Sequence, residues 1–338
     1  MAKKQRHILV IRLSALGDIA ISAPLVKEYA KENPSVKFSV LAPKFTAPLF
    51  EGVKNLHFIP FNVEKGKDGV IGVIKFARTL LSHNITEVAD IHNVHRSRII
   101  RTVLFLHGIP NKVIFKDRLS RRGLVRSSNK ILAPLKSSMQ KYEDVFTALN
   151  LKNLNFSQRP APAKEPGKEL YRRIGIAPFA KHKGKAWPLE YVEEVIRHFS
   201  ADNNTRIFLF GGGSQEIGIL ESVAGKYPNT ESVAGKYKMG EELEFMKSLD
   251  VMVTMDSANM HLASLVRTPV VSVWGATHPY AGFYGWGQNP ENAVQADMPC
   301  RPCSIYGSKA CSRKDYACLN AVKPQQVIEK IIEVTSKR

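Results

Sequence analysis

Residues 8–26 read ILVIRLSALGDIAISAPLV, and this stretch decides the fold. His7 to Leu13 is a buried strand, Ser14 to Asp18 a loop, and Ile19 to Glu32 a helix with Pro24 tolerable in its early part. The same alternation continues outward. Val36–Leu41, Leu56–Phe61 and Glu87–Ile91 read as strands, and Ile71–Ser82 and His92–Leu106 as helices. Residues 158–168, QRPAPAKEPGK, hold three prolines, a glycine and no apolar periodicity, which is linker composition. Beyond them the alternation restarts. Strands are expected at Arg173–Ala177, Thr205–Phe210, Asp250–Thr254 and Pro269–Trp274. Helices are expected at Trp187–Phe199, Ser214–Tyr227, Gly240–Ser248, Asn259–Val266 and Val327–Ser336. Strands spaced by helices predict parallel sheets wound on both faces. The pattern therefore gives an α/β chain of two doubly wound, Rossmann-like domains facing a cleft, with ligands at the carboxyl ends of the strands. The expected domains are 1–160 and 161–325, with a closing helix at 326–338 that packs back on the first.

The 338 residues fit two domains at about 150 residues each. Apolar residues make up 44% and charged residues 23%, which argues against disorder, collagen and coiled coil. No apolar run approaches the ~20 residues of a membrane-spanning helix, and Ile8–Ile11 is too short for the core of a signal peptide. Four cysteines in a chain of this length do not make a secreted disulfide scaffold, so the expected compartment is the cytoplasm. An exact repeat, ESVAGKY at 221–227 and 231–237, is too short for a solenoid unit and carries no functional weight.

Charge is the unusual quantity. Lys plus Arg is 49 against 30 Asp plus Glu, a net +19, which favours an anionic partner: nucleic acid, a membrane surface or a phosphorylated substrate. Between Arg96 and Lys136 the cations are dense and Asp117 is the only acid, which reads as a docking surface in the N-terminal half.

Five loops follow predicted strands. In the first, Gly17 permits a tight turn and Asp18 is either a helix N-cap or a general base. The second, Ala177–Pro188, carries Lys181, His182, Lys183 and Lys185, with Trp187-Pro188 fixing its end. The third is Gly211-Gly212-Gly213, with Glu216 either on sugar hydroxyls or complementing a helix dipole. The fourth, Thr254–His261, puts small residues and amides at a helix start, a ready anion site. The fifth is Trp274–Pro279.

Taken together, ILVIRLSALGDIAISAPLV, KAWPLEYVEEVI (185–196), VTMDSANMHLASLVRTPVVSVWGATHP (253–279) and CRPC followed by two further cysteines resemble glycosyltransferase family 9, the lipopolysaccharide heptosyltransferases. The resemblance spans nearly the whole chain. It implies a GT-B fold with an N-terminal acceptor domain and a C-terminal nucleotide-sugar domain, and metal-independent, inverting transfer of a heptose from ADP-heptose to a phosphorylated lipid A–core acceptor. It makes Asp18 the base and Lys185 the cation on the leaving diphosphate. It implies donor contacts at Glu216, Asp256, Ser257, Ala258, Asn259, Met260, His261 and Thr277, and acceptor contacts at Ser14, Gly17, His92, Arg96 and Ser97. The basic segment would face the inner leaflet, making the protein peripheral on the inner membrane, with no nucleic acid as partner. Competing readings are transfer from another nucleotide sugar to a cell-envelope glycan, an epimerase of the same fold, and a nucleic-acid-binding protein, which lacks a recognised motif. No cofactor is required for catalysis in this reading. Cys300, Cys303, Cys311 and Cys318 are either a structural zinc site or free thiols that can oxidise to disulfides.

Overall fold

The structure, a computed structural model, describes residues 5–63, 68–158 and 171–336. All of the predicted linker except Gln158 lies outside the described residues. The chain divides into two compact units, Met1–Lys116 with Ser138–Arg159, and Asp117–Ser137 with Pro160–Arg338.

The first unit contains β1 (His7–Ile11), α1 (Leu16–Glu32), β2 (Lys37–Ala42), β3 (Leu56–Pro60), α2 (Gly69–Thr79), β4 (Glu87–Asp90), α3 (His95–Leu106) and β5 (Asn111–Val113). After β5 the chain lends α4 (Arg118–Leu124) to the second unit and returns as α5 (Ser138–Ala148). All five strands are parallel, in the order β3-β2-β1-β4-β5. β1 is central, and Ile8 to Ile11 have no exposed surface, as expected of a parallel strand covered on both faces. Strands are laid outward from β1 to β3, and β4 is then added on the other side of β1. That reversal opens a crevice beyond the carboxyl ends of β1 and β4. α1 begins at Leu16, three residues before the sequence expectation, so Pro24 lies inside it and Asp18 is in its first turn. Tyr29 of α1 stacks on Phe146 of α5, ring centroids 4.4 Å apart.

The second unit contains β6 (Arg172–Ala177), α6 (Leu189–Ser200), β7 (Thr205–Leu209), α7 (Ser214–Ala224), β8 (Thr230–Ser232), α8 (Met239–Lys247) and β9 (Val251–Met255). It continues with α9 (Ala258–Leu265), β10 (Val270–Trp274), β11 (Ala293–Gln295), α10 (Ala317–Asn320) and α11 (Pro324–Ser336). Its six strands are also parallel, in the order β11-β10-β9-β6-β7-β8, so the switch falls between β6 and β9. α11 buries Val327, Ile328 and Ile331 in this unit's core with Val192 and Ile196 of α6. The expectation set α11 apart from this domain, but its apolar face completes the second core. A single crossing near residue 160 was expected too, and the excursion of 117–137 into the second unit departs from that reading.

The repeated heptapeptide takes two conformations. At 221–227 it ends α7, while at 231–237 it contributes to β8 and a turn. In the second copy Gly235 has φ +72° and lies against Ile217, where a Cβ would meet that side chain at 2.6 Å. Surroundings, not local propensity, choose the state.

His7 opens β1 and is buried. Its Nδ1 lies 2.9 Å from the His83 carbonyl and its Nε2 2.8 Å from Ser39 Oγ. Burial lowers its pKa from 6.5 to about 4. The unfolded chain therefore takes up a proton that the folded unit refuses, and stability falls as pH drops from 6.5 towards 4. The thermal midpoint of the first unit should decline across that window, and His7→Gln should flatten the decline. Equal slopes for the two proteins would contradict this assignment.

Candidate active site

In the first unit the crevice is built around Arg12, which follows β1 and is only 7% exposed. Its guanidinium donates from Nη1 to the Ile91 carbonyl at 2.8 Å, pairs through Nη2 with the Asp18 carboxylate, and lies over the Tyr142 ring. A buried guanidinium needs its charge matched and its donors satisfied. The Asp18 carboxylate matches the charge, and the pairing orients Asp18. Asp18 is not an N-cap: Ala15 holds that position, and Asp18 sits in the first turn with its carboxylate 30% exposed. Ser14 is exposed and Gly17 half-buried in the same loop.

The neighbouring loop follows β4. Asp90 has no exposed surface, and its carboxylate accepts the amides of His92 (3.0 Å) and Asn93 (2.7 Å) and the Ser97 hydroxyl (3.0 Å). Ser97 is fully buried and also binds Val94, so it fixes the loop's shape. His92 ties the two loops together: the Leu13 amide donates to its Nδ1 at 3.2 Å, and its Nε2 lies 3.4 Å from Ser14 Oγ. Burial, reinforced by Arg12, lowers its pKa to about 3. His92 is thus neutral near pH 7, with its proton on Nε2. Arg96 donates to the Val63 carbonyl and covers the Phe61 ring. Sequence reasoning singled out His92, Arg96 and Ser97 but not Arg12 or Asp90; Asp90 holds the His92 amide and the Ser97 hydroxyl.

In the second unit the loops after β6 and β9 meet at the switch point. Of the four basic residues in the first of these loops, Lys185 is the one turned inward. Its ammonium lies 2.7 Å from an Asp256 carboxylate that is 4% exposed. Lys183 instead covers the Tyr316 ring. Trp187 is buried and donates to the Val322 carbonyl at 3.0 Å, which fixes the loop's exit; the helix itself begins at Leu189, with Pro188 as its N-cap. Close packing sets where Lys185 points. A Cβ on Gly184 would meet the Gly307 carbonyl oxygen at 2.9 Å, and one on Gly307 would meet the Lys185 stem at 2.6 Å.

Ser257 is the N-cap of α9, but its hydroxyl is shared with Thr254 at 3.0 Å and makes no bond to the helix amides. The start of α9, with Ala258 and Asn259, therefore keeps the partial positive charge of a helix N-terminus beside Lys185 and Asp256. Met260 is fully buried and His261 nearly so. Glu216 lies in the first turn of α7 and accepts the Gly212 amide at 2.9 Å, which folds it back on the glycine loop. Thr277, after β10, is fully buried, and its hydroxyl has no partner among the described residues.

Arg301, within the cysteine segment, was not singled out from the sequence. It is 6% exposed and donates to the carbonyls of Gly275 (2.5 Å), Thr277 (3.0 Å) and Ala296 and to the Gln295 side chain (2.9 Å). It is a strut under the loop after β10. The four cysteines are free thiols lining one cavity of about 20 Å³ with Arg301, Arg313 and Tyr316. Burial raises the thiol pKa of Cys303 and Cys318. Sulfur is the donor zinc prefers, yet no group of three metal-ligating side chains among the described residues is arranged to hold an ion.

The sequence profile of glycosyltransferase family 9 (heptosyltransferase) matches residues 116–314, more than half of the chain, and the chain belongs to that family. It is 26% identical over 169 residues to lipooligosaccharide heptosyltransferase 2 of Campylobacter jejuni, covering 48% of this chain and 51% of that one. The chain therefore spans about half the length of that relative. The fold resembles a family 9 glycosyl transferase from Veillonella parvula with a TM-score of 0.74 at 16% identity, covering 100% of this chain and 99% of that one. It also resembles Escherichia coli heptosyltransferase WaaC, solved with ADP-2-deoxy-2-fluoro heptose, with a TM-score of 0.67 at 16% identity and coverages of 96% and 99%. The two parallel α/β units form the GT-B fold.

Arg301→Met removes donors from four acceptors. At roughly 1–3 kcal/mol for each buried group left unsatisfied, the second unit should lose about 3 kcal/mol or more in chemical denaturation, with Arg301→Lys recovering part. A variant within ~0.5 kcal/mol of the parent would show that the strut carries no load.

Proposed function

We propose that the protein is an inverting glycosyltransferase that moves a heptose from ADP-heptose to a phosphorylated inner-core acceptor of lipopolysaccharide. The observation that carries this reading is the Lys185–Asp256 pair at the start of α9. A lysine ammonium, a helix N-terminus and small-residue loops at a sheet's switch point suit a nucleoside diphosphate. The E. coli neighbour solved with an ADP-heptose analogue supports the choice of donor. The Campylobacter jejuni relative, by name a lipooligosaccharide heptosyltransferase, supports the choice of acceptor.

In this scheme Asp18 takes the proton from an acceptor hydroxyl as that oxygen attacks the anomeric carbon. The bond from that carbon to the diphosphate breaks, configuration inverts, and ADP departs with the electron pair. Arg12 keeps the Asp18 carboxylate aimed, and neutral His92 offers a hydrogen bond without adding charge beside the base. Lys185 and the first-turn amides of α9 meet the negative charge that grows on the leaving diphosphate. Asp256 holds Lys185 in place, and Ser14, Gly17 and Arg96 line the acceptor side. The chain's own residues answer the charge, so the scheme calls on no metal. Cytoplasmic location, with the acceptor met at the inner membrane surface, belongs to the same proposal. Among the described residues no helix is long and apolar enough to cross a membrane.

Thermal-shift titration with ADP, UDP, GDP and CMP tests the donor. The expected result is selective stabilisation by ADP that Lys185→Ala removes. Stabilisation by UDP alone would reject ADP-heptose, and no response to any nucleotide would reject a nucleotide-sugar enzyme. In transfer assays Asp18→Asn should keep the ADP shift and lose ~10²–10⁴ in kcat. Unchanged kcat would remove Asp18 as the base.

A further inference from the structure

Two of the four cysteines stand at the foot of a loop whose tip bears on Lys185. Cys303 lies four residues before Gly307 and Cys311 four residues after it. Gly307 is buried and has φ +77°. It lies so close to the lysine that a Cβ on it would meet Lys185 Cγ at 2.6 Å and Cε at 2.9 Å. The foot of the loop is tied into the same contact by backbone bonds. The Cys303 and Ser304 amides donate to the Ala276 carbonyl at 3.0 and 3.2 Å, and the Ala276 amide donates to the Gly184 carbonyl at 2.8 Å. Cys303 is therefore linked through Ala276 to the residue that precedes Lys185.

The two arms of this loop are held differently. The arm before Gly307 is fastened. Lys130 donates to the carbonyls of Pro299 (3.2 Å), Arg301 (2.7 Å) and Pro302 (3.0 Å), and Arg121 lies over the Tyr306 ring and donates to its Oη at 2.6 Å. The arm after Gly307 is exposed from Ser308 to Ala310 and again from Ser312 to Asp315. The Lys309 amide reaches back to Ser304 Oγ at 3.4 Å, a long bond. Cys311 is half-buried and brings this arm to the cavity that Cys303 also lines. Both are free thiols, and the space between the cavity walls is about 20 Å³, room for a single water. Drawing Cys311 onto Cys303 closes that space and moves the exposed arm. The left-handed turn at Gly307 must absorb the change, and Gly307 rests on the Lys185 stem.

We propose that Cys303 and Cys311 are a thiol-oxidation site: a small-molecule disulfide converts them to a disulfide bond, Gly307 shifts against the Lys185 stem, and donor affinity falls. Cys311, on the exposed arm, meets the small disulfide first. Its thiolate attacks one sulfur and releases one small thiol. Cys303, whose Sγ lies 3.9 Å from the Ala276 carbonyl oxygen, then attacks the mixed disulfide and releases the second. Two protein thiols become one S–S bond, the small disulfide is reduced to two thiols, and the two protons lost by the protein end on them. A bond made and broken by exchange in this way suits a compartment that keeps thiols reduced. The effect on the donor rests on the transferase reading, whereas the bond and its effect on Lys185 do not.

The test treats the full chain with oxidised glutathione and compares the parent with Cys303→Ser and Cys311→Ser. Peptide mapping of the oxidised parent should link Cys303 to Cys311. Its ADP affinity, by calorimetry, should fall at least ~10-fold and return on reduction. Each serine variant should bind ADP as the reduced parent does, before and after the oxidant. Acetic anhydride labelling of Lys185, read on its peptide, should rise on oxidation in the parent and stay constant in both variants. No disulfide, a disulfide confined to Cys300 and Cys303, or an oxidised parent with unchanged Lys185 labelling would overturn the proposal, as would unchanged ADP affinity in a parent that binds ADP when reduced. Failure of the reduced parent to bind ADP strikes the transferase reading, and the Lys185 labelling then decides the thiol site alone.

Discussion

A lysine ammonium held 2.7 Å from a carboxylate with almost no access to water is the constraint on which the second unit's site depends. Desolvating two opposite charges costs several kcal/mol per ion, and their attraction often does little more than offset that cost. Such a pair is a poor device for stability. Its setting is specific: the switch point of a parallel sheet, at a helix N-terminus, under loops packed glycine to glycine. Those features make sense together if the ammonium is held ready for a third charge. An incoming diphosphate adds the anion that the pair and the start of α9 can share.

The first unit repeats the device in different chemistry. Arg12 follows the central strand, as Lys185 follows β6 through a longer loop, and each is paired with an acid near the start of a helix. The roles of the acids differ. Asp256 is buried and positions its cation, whereas the Asp18 side chain is 30% exposed and is itself positioned. The acid proposed as the base is the more exposed of the two. Further out, the supporting groups are buried and fully engaged: Asp90 under the His92 loop, and Arg301 under the loop that carries Thr277.

The central strands and the loops that follow them were legible because their signals are local. ILVI of β1 is a continuous apolar run, and a parallel strand buried on both faces has no polar alternation to obscure it. The edge strands β5, β8 and β11 are three residues each and carry too little pattern to read. α5 had a usable signal in Met139, Tyr142, Val145 and Phe146, all buried and at helical spacing, but it follows directly on the basic run. Arg12, Asp90 and Arg301 were missed for another reason. A buried charge is recognised by its partners, and for Arg12 those partners include Ile91, 79 residues away in sequence, and Tyr142, further still. Composition also misled in one respect. The basic run reads as a single surface of the N-terminal half, yet the structure divides it at Lys116 and spends Arg121 and Lys130 on internal contacts.

The account stands on the donor diphosphate lying between Lys185 and the start of α9. A crystal structure of the full chain with ADP tests this most directly. The predicted result is diphosphate oxygens about 3 Å from Lys185 Nζ and from first-turn amides of α9. Density for ADP elsewhere, with Lys185 still engaged by Asp256 alone, would contradict it.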